Sequence, residues 1–407
     1  MAGTAEPKQY EVPPHVPVDL VRPISFAYSP EFLADPYGLL SNLHENYPAV
    51  FYAPQMGASP ASWQLIKYAD CFRVLREAET FTSKGTTPFP RDPNDWFYFI
   101  PVEIEPPEHR KYRNILDPFF SPQGVVQLES QVRKLANDLI DQFIDKHECE
   151  FTEEFSRPLP VSVFLGIMGL PQHMRDSFVR WTMNLLHSQD AQVILQATKD
   201  IGSYLNGAIA ERRATPDGGA LSAIANAAPG GVPLTDKEIF GFAFFVFIAG
   251  IDTVYATFNN VWNWLAQNPD RRHEIIAEPA NIASVVEELH RVFTVTYSGR
   301  IVKRDTEIRG VKIKAGDRVC SVLPAANFDP EIFERPHEVD FHRPRKPILA
   351  FAGGVHSCLG AHLARLELRI CLEEFLRRIP DFQVKAGTIL KFLPGGVIGP
   401  NCLPLVW

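Results

Sequence analysis

The sequence predicts a mainly α fold with a small β portion, built as a single domain over residues 1–407. Three observations predict it. Apolar residues recur at helical spacing through most of the chain, whereas alternating stretches are few and short. One helical segment is apolar on nearly all sides, which places it inside a core. No internal repeat or low-complexity linker divides the chain, although 407 residues exceeds the length at which single cores usually stop growing.

Helical periodicity runs over residues 30–46, 108–120, 127–146, 159–168, 171–187, 193–213, 236–267, 282–293 and 359–378. Most of the 35 prolines fall between these segments, as many helices with irregular connections require. The stretch FYAPQMGASPASWQLI, residues 51–66, predicts a hairpin. RIVKRDTEIRGVKIKAGDRVCSVL, from Arg300, predicts short strands with turns at Gly310 and Gly316, and the chain from Gln383 onward predicts more.

The helix over 236–267 is the most informative. Thr235 and Glu238 form a capping-box pattern, and Leu234 and Ile239 are placed for a hydrophobic staple. Pro269 cannot continue the helix. About 32 residues at roughly 1.5 Å each would make a rod near 48 Å. The sequence AGIDT, Ala249 to Thr253, interrupts its apolar surface. Gly250 costs about 1 kcal/mol against alanine in a helix interior, and a buried carboxylate at Asp252 costs more unless paired. The stretch reads either as a polar patch facing a crevice or as a hydrated groove flanked by an acid, Asp252, and an alcohol, Thr253, whose hydroxyl can turn toward a ligand.

Charge and cysteine usage exclude several classes. The net charge is −8 with no long basic run, which argues against nucleic acid as a partner. The N-terminal stretch has no basic segment followed by an apolar run, so no signal peptide or anchor is predicted. The apolar run over 240–251 is shorter than the ~20 residues that span a bilayer, so a cytoplasmic location without membrane contact is expected. Six scattered cysteines without CxxC spacing predict free thiols and argue against a zinc ribbon or an iron–sulfur cluster.

One thiol has an unusual setting. FAGGVHSCLGAHLAR, Phe351 to Arg365, begins as a glycine-rich loop and ends as a good helix, with Cys358 at the join. A helix N-terminus presents unpaired N–H groups and partial positive charge, which favour thiolate and are expected to lower the thiol pKa. Gly353, Gly354 and Gly360 let the backbone approach a flat object closely. A thiolate there is a nucleophile, with His356 as a nearby base, or a metal ligand. Only one sulfur is available, so the second option needs a cofactor that supplies the remaining ligands and points to haem.

Phe351-x-x-Gly354-x-His356-x-Cys358-x-Gly360 resembles the haem-ligand loop of the cytochrome P-450 family. AGIDT resembles the family's oxygen-groove motif. ELHR, Glu288 to Arg291, resembles its ExxR helix, and VDFHR, Val339 to Arg343, the following meander. HRKYR, His109 to Arg113, resembles its HxxxR helix. The similarity is co-linear over nearly the whole chain and is closest to the bacterial camphor hydroxylase branch, as FIPVEIEPPEHRKYR and the terminal LPLVW indicate.

The resemblance implies a haem-thiolate monooxygenase fold with a long central helix over haem b. It implies Cys358 as axial ligand of the haem iron, with Phe351 in the same loop. His109, Arg113, Arg300 and His356 would hydrogen-bond the haem propionates, with Ser298 where the camphor branch has an aspartate. Glu288, Arg291 and Arg343 would form a structural network. Dioxygen would bind beside Ala249 and Gly250, with Thr253 hydrogen-bonding it and Asp252 gating protons. Electrons would come ultimately from NADH through separate proteins, a 2Fe–2S ferredoxin and its reductase, docking at Arg76, Arg110, Lys111 and Arg113, and the protein is expected to be a monomer.

The resemblance also implies a substrate pocket of Phe89, Trp96, Phe97, Phe99, Phe245, Ile248, Thr296 and Val397. Phe97 stands where the camphor branch has a ketone-binding tyrosine, with Tyr98 and Thr296 as other possible donors. A small apolar substrate of terpenoid or norisoprenoid type is therefore expected, and camphor is expected to be poor. The acid–alcohol pair argues against a haem-binding sensor without turnover and against a peroxide-driven peroxygenase. A cysteine hydrolase is the alternative outside haem chemistry.

Overall fold

A computed structural model of the chain describes residues 11–56, 59–86 and 97–407. Helices occupy each predicted segment, with four divided. Residues 30–46 form Pro30–Ala34, Pro36–Ser41 and Leu43–Asn46. The cause is local: Asp35 accepts the Gly38 N–H at 3.0 Å, and Pro36 occupies the first helical position, so a new helix starts there. The 127–146 segment is Glu129–Ile140 followed by a 3₁₀ turn, and 171–187 is a 3₁₀ turn followed by Arg175–His187. Tyr68–Arg76, Pro122–Val126, Ala220–Ala225 and Pro269–Ala277 are further helices that periodicity did not mark.

The central helix is capped as expected. Glu238 N–H donates to Thr235 Oγ1 at 3.3 Å, and Thr235 N–H donates to Glu238 Oε2 at 2.8 Å. Glu238 also accepts the Tyr112 hydroxyl at 2.5 Å, which ties this helix start to the His109–Phe120 helix. The expected continuous rod is instead two helices, Asp236–Ala249 and Asp252–Gln267. The break has a tertiary cause. A Cβ on Gly250 would lie 2.3 Å from the Phe164 ring, so the Pro158–Met168 helix presses its aromatic side chain into the gap. Together the halves form a segment long and apolar enough to cross a membrane by length and composition, yet 72% of its most apolar window is buried inside the protein.

Trp262 on the second half is fully buried, stacked on Phe151 at 5.0 Å and edge-on to Phe375 at 5.6 Å. Each such buried ring contributes roughly 1.5–3 kcal/mol relative to leaving it exposed. On the same helix, Asn260 donates to the Ile398 carbonyl at 2.8 Å, and Asn259 bridges Ser156, Thr152 and the Pro400 carbonyl. These bonds fasten the 394–400 segment to the helix.

The main sheet has five strands in the order Val50–Ala53, Ser62–Leu65, Arg318–Ser321, Ser298–Val302, Phe81–Thr82. Its first two strands are the predicted hairpin, with Val50 opposite Leu65. Ser62–Leu65 runs parallel to Arg318–Ser321, and Arg300 pairs with Val319. This register carries Ser298 to the edge of the central cavity, with Arg300 bonded to it from the same strand. Pro404–Val406 pairs with Gln383–Val384, as the C-terminal pattern predicts, and also with Glu148–Glu150, too short to be legible. All six cysteines are free thiols.

Candidate active site

A cavity of about 400 Å³ lies between the broken central helix and the start of the Ala361–Arg378 helix. The Cys358 loop forms one wall. Cys358 N–H donates to the Phe351 carbonyl at 2.9 Å, closing the loop. Ala352 and Gly354 have φ of 55° and 70°, and a Cβ on Gly354 would lie 2.3 Å from the Leu75 carbonyl oxygen. Only glycine fits that close approach. Phe351 lies under the Arg365 guanidinium at 4.3 Å and edge-on to His290 at 4.9 Å.

Cys358 is open to the cavity. Its thiol corrects one expectation. Burial pushes it above its ordinary range, against the downward pull of the Gly360 N–H and the Arg113 and Arg365 guanidiniums. Shielding from water outweighs the helix N-terminus here. A metal cation in place of the proton reverses that balance, since a thiol ligand binds as thiolate.

His109, Arg113 and His356 line the cavity's polar edge, and Arg300 joins them through Ser298. His109 and His356 pack edge to face at 4.6 Å. Arg113 donates to the Ser357 carbonyl at 2.9 Å, and Arg300 donates to Ser298 Oγ at 2.9 Å and the Gly299 carbonyl at 2.7 Å. His356 Nε2 lies 3.0 Å from Ser83 Oγ and 3.5 Å from Glu105. Burial, with His356 and Arg113 adding to it, lowers His109 to about 4, and burial lowers Arg300 to about 10. Glu105 is held at about 2: burial raises it, but bonds from His356, Thr82 and Ser83 outweigh that.

Three atoms of this group, His109 Nε2, His356 Nδ1 and Arg300 Nη2, are buried without a protein partner among the described residues. Orphaned nitrogens on a cationic cavity edge fit a ligand that brings its own carboxylates. With Cys358 on the floor and an apolar wall above, the residues fit haem.

The far wall carries Ala249, Gly250, Asp252 and Thr253 with Phe245, Ile248, Phe164, Thr296 and Val397. Asp252 is 1% exposed and is not alone: His187 Nε2 lies 3.1 and 3.0 Å from its two oxygens. Sequence reasoning missed His187, which no motif marks. It also missed Glu367 and His290, buried side chains lining the cavity; both Glu367 oxygens and His290 Nε2 lack partners among the described residues. Burial raises Glu367 to about 8 and lowers His290 to about 4. The buried helical i, i+3 spacing of Cys371 and Glu374 beyond Glu367 was the available hint that this helix face turns inward.

Some expected pocket residues lie elsewhere. Phe97 and Phe99 are off the described cavity lining. Phe97 packs at 4.8 Å on Phe240, 5.5 Å on Phe244 and 5.7 Å on Phe99. The backbone comes so near the central helix that a Cβ on Gly241 would meet the Tyr98 carbonyl oxygen at 1.9 Å. Tyr98 is 44% exposed beneath the Lys237 ammonium, 4.4 Å from its ring, so it points away from the cavity. Phe89 and Trp96 lie outside the described residues.

Behind the loop, Glu288 receives two bonds from Arg291, at 2.7 and 2.9 Å, and two from Arg343, both at 3.1 Å. Arg291 also donates to the Asn327, Pro336 and Glu338 carbonyls, fastening the segment before the loop. Of the basic face, Arg76 and Arg110 are exposed, whereas Lys111 pairs with Glu238 and Arg113 turns inward. Arg110 and Arg113 are three apart and share one helix face, but Arg113 reaches in to the Ser357 carbonyl while Arg110 pairs with Asp117.

The family profile described as cytochrome P-450 matches residues 168–388. A probable cytochrome P-450, 127A1, of Sinorhizobium fredii is 34% identical over 98% of both chains. A steroid C26-monooxygenase of Mycobacterium tuberculosis is 29% identical, covering 75% of this chain and 79% of its own. Among solved structures, CYP101J2 matches with a TM-score of 0.86 and 30% identity, over 98% of this chain and all of its own. CYP109E1 from Bacillus megaterium, in complex with testosterone, matches with a TM-score of 0.83 and 26% identity, over 93% of this chain and 99% of its own. The cysteine loop, the broken helix and these likenesses agree: the chain belongs to the cytochrome P-450 family and is a monooxygenase.

Proposed function

We propose that this monooxygenase hydroxylates an unactivated C–H bond of a small apolar substrate of terpenoid or norisoprenoid type. The observation that carries the reading is the cavity itself: an apolar chamber with Cys358 on one wall and the Asp252–Thr253 pair on the other. Haem, when bound, supplies dioxygen activation, and thiolate ligation favours O–O cleavage. The chain supplies position and protons. Cys358 Sγ would hold the iron, and His109, His356, Arg113 and Arg300 would hold the propionates. Phe164, Leu186, Phe245, Ile248 and Val397 exclude water from the substrate side. Thr253 presents a hydroxyl to the cavity, and Asp252 behind it holds or releases a proton. One oxygen atom enters the substrate and the other leaves as water, which consumes two electrons and two protons.

Electrons come, in this reading, from NADH through a reductase and a 2Fe–2S ferredoxin in the cytoplasm. Arg76 supports docking beside the cysteine loop, since a Cβ on Gly354 would lie 3.2 Å from its Cα. Such an encounter is steered by charge and weakens with salt. The test is turnover of a terpenoid and norisoprenoid panel with ferredoxin, reductase and NADH, against hydrogen peroxide alone. Hydroxylated product that needs the electron-transfer proteins is expected. Product formed only with peroxide would overturn the reading.

A further inference from the structure

His187 is the last residue of the Arg175–His187 helix and follows Leu186, which lines the cavity. Its ring is held from both ends. Nδ1 lies 2.7 Å from the Pro394 carbonyl oxygen. A carbonyl can only accept, so Nδ1 carries a hydrogen. Nε2 faces both Asp252 oxygens, at 3.1 and 3.0 Å. If Nε2 and the carboxylate were both bare, two acceptors would face each other. A proton therefore lies between them, either on Nε2 as imidazolium or on Asp252 as carboxylic acid.

Other polar groups surround the contact. The groups facing this contact are Arg157 at the head of the Pro158–Met168 helix, Glu153, Tyr255 and the backbone at 394–395. Arg157 pairs with Glu153 and lies 4.8 Å above the Tyr255 ring. The Tyr255 hydroxyl points to Met183 Sδ at 2.9 Å. Glu153 is 62% exposed and offsets the 8% exposed Arg157 only in part, so Arg157 still acts on His187, and Tyr255 also bonds Asp252. The seat is built for this approach. Gly395 has φ of 124°, and a Cβ there would lie 2.4 Å from the Leu186 carbonyl oxygen and 3.2 Å from His187 Nδ1. Burial lowers the imidazole pKa, but the Asp252 charge and hydrogen bond outweigh it, so His187 is raised above its ordinary value.

We propose that His187 is a positioning residue that reloads Asp252 with protons during turnover, an inference that rests on Asp252 being the proton-delivering acid. In each cycle the Nε2–H bond of the imidazolium breaks and an Asp252 O–H bond forms. That proton leaves Asp252 toward the cavity at Thr253. The neutral imidazole, still holding its Nδ1 hydrogen on Pro394, takes a proton at Nε2 from water.

The test uses the holoenzyme with histidine labelled for NMR, in its diamagnetic ferrous carbon monoxide form. The resonance lost in His187→Gln is expected to titrate above ~6.5 in the parent and to move down in Asp252→Asn. In turnover, His187→Gln keeps a donor for Asp252 but cannot deliver its own proton. Its productive rate is expected to fall about tenfold or more, with a larger solvent isotope effect and a flattened pH profile. Substrate-induced spectral shifts should stay as in the parent. His187→Arg, a fixed cation, should lose the pH dependence as well. A His187 resonance that ignores pH and Asp252→Asn would overturn the inference, as would an unchanged pH profile in His187→Gln. If Asp252→Asn itself left product per NADH unchanged, the underlying assignment of Asp252 would fall first.

Discussion

Arg300 donates one nitrogen to Ser298 Oγ at 2.9 Å and leaves another, Nη2, buried without a partner among the described residues. A serine can share a hydrogen bond with this cation but cannot neutralise it. Glu105 offsets it only in part, and in the proposed reading the remainder is left for carboxylates that arrive with the cofactor.

Arg300→Leu should have opposite effects on the two forms of the protein. Removing a buried, only partly compensated cation should raise the thermal midpoint of the haem-free protein. In the holoenzyme it strands a propionate, and haem transfer to an acceptor apoprotein should speed up by roughly tenfold or more. Equal shifts in both forms would contradict this account.

Thr253→Ala should keep substrate binding and NADH consumption while diverting flux to peroxide or excess water. Positioned proton transfer contributes roughly 10²–10⁴ in rate, so hydroxylated product per NADH should drop about tenfold or more. Product yield and peroxide are measured side by side; parent-like yield would remove Thr253 from the reaction.

Thr296 lines the described substrate wall and carries a hydroxyl that can donate to a ketone, whereas Phe97 has no donor and Tyr98 faces outward. Thr296→Val should weaken binding of a ketone by about 0.5–1.5 kcal/mol, roughly two- to tenfold in Kd, and leave a hydrocarbon of the same shape unaffected. Spectral titration of matched ketone and hydrocarbon pairs, camphor included, checks it. Camphor should bind the parent loosely and give several products or none.

The His187–Asp252 contact also sets a pH dependence of stability. The His187 pKa is raised from 6.5 because Asp252 outweighs burial. Its contribution is fully present below the unfolded value and is lost as pH rises through the higher folded value. The thermal midpoint difference between parent and His187→Gln should be largest below about pH 6.5 and shrink as pH rises above it. A difference that widens with pH would reverse the sign and refute the assignment.

What the sequence disclosed was local. Thr235 and Glu238 are three residues apart, so their mutual capping could be read directly, and the Cys358 loop carries its glycines within a few positions. The break at Gly250 could not be read, because its cause is Phe164, a ring on another helix. His187 was hidden for the same reason: its partners, Asp252 and Pro394, come from distant segments. Asp35-Pro36 and Ser121-Pro122 were legible restart signals, cap residue followed by N1 proline, that helical periodicity overrode. The strands Phe81–Thr82 and Glu148–Glu150 are two and three residues long and have no room for alternation.

The amide side chains of Asn259 and Asn260 give the enzyme a second route to altered regioselectivity. Neither lines the cavity, yet together they fasten the Ile398 and Pro400 carbonyls to the helix that begins with Asp252 and Thr253. Val397, on the substrate wall, is thereby tied to the same rigid body as the proton-handling pair. Shortening or lengthening either amide is expected to shift Val397 relative to Asp252 and Thr253 while every wall residue keeps its identity. A directed-evolution library confined to the chamber's own side chains would never sample that displacement.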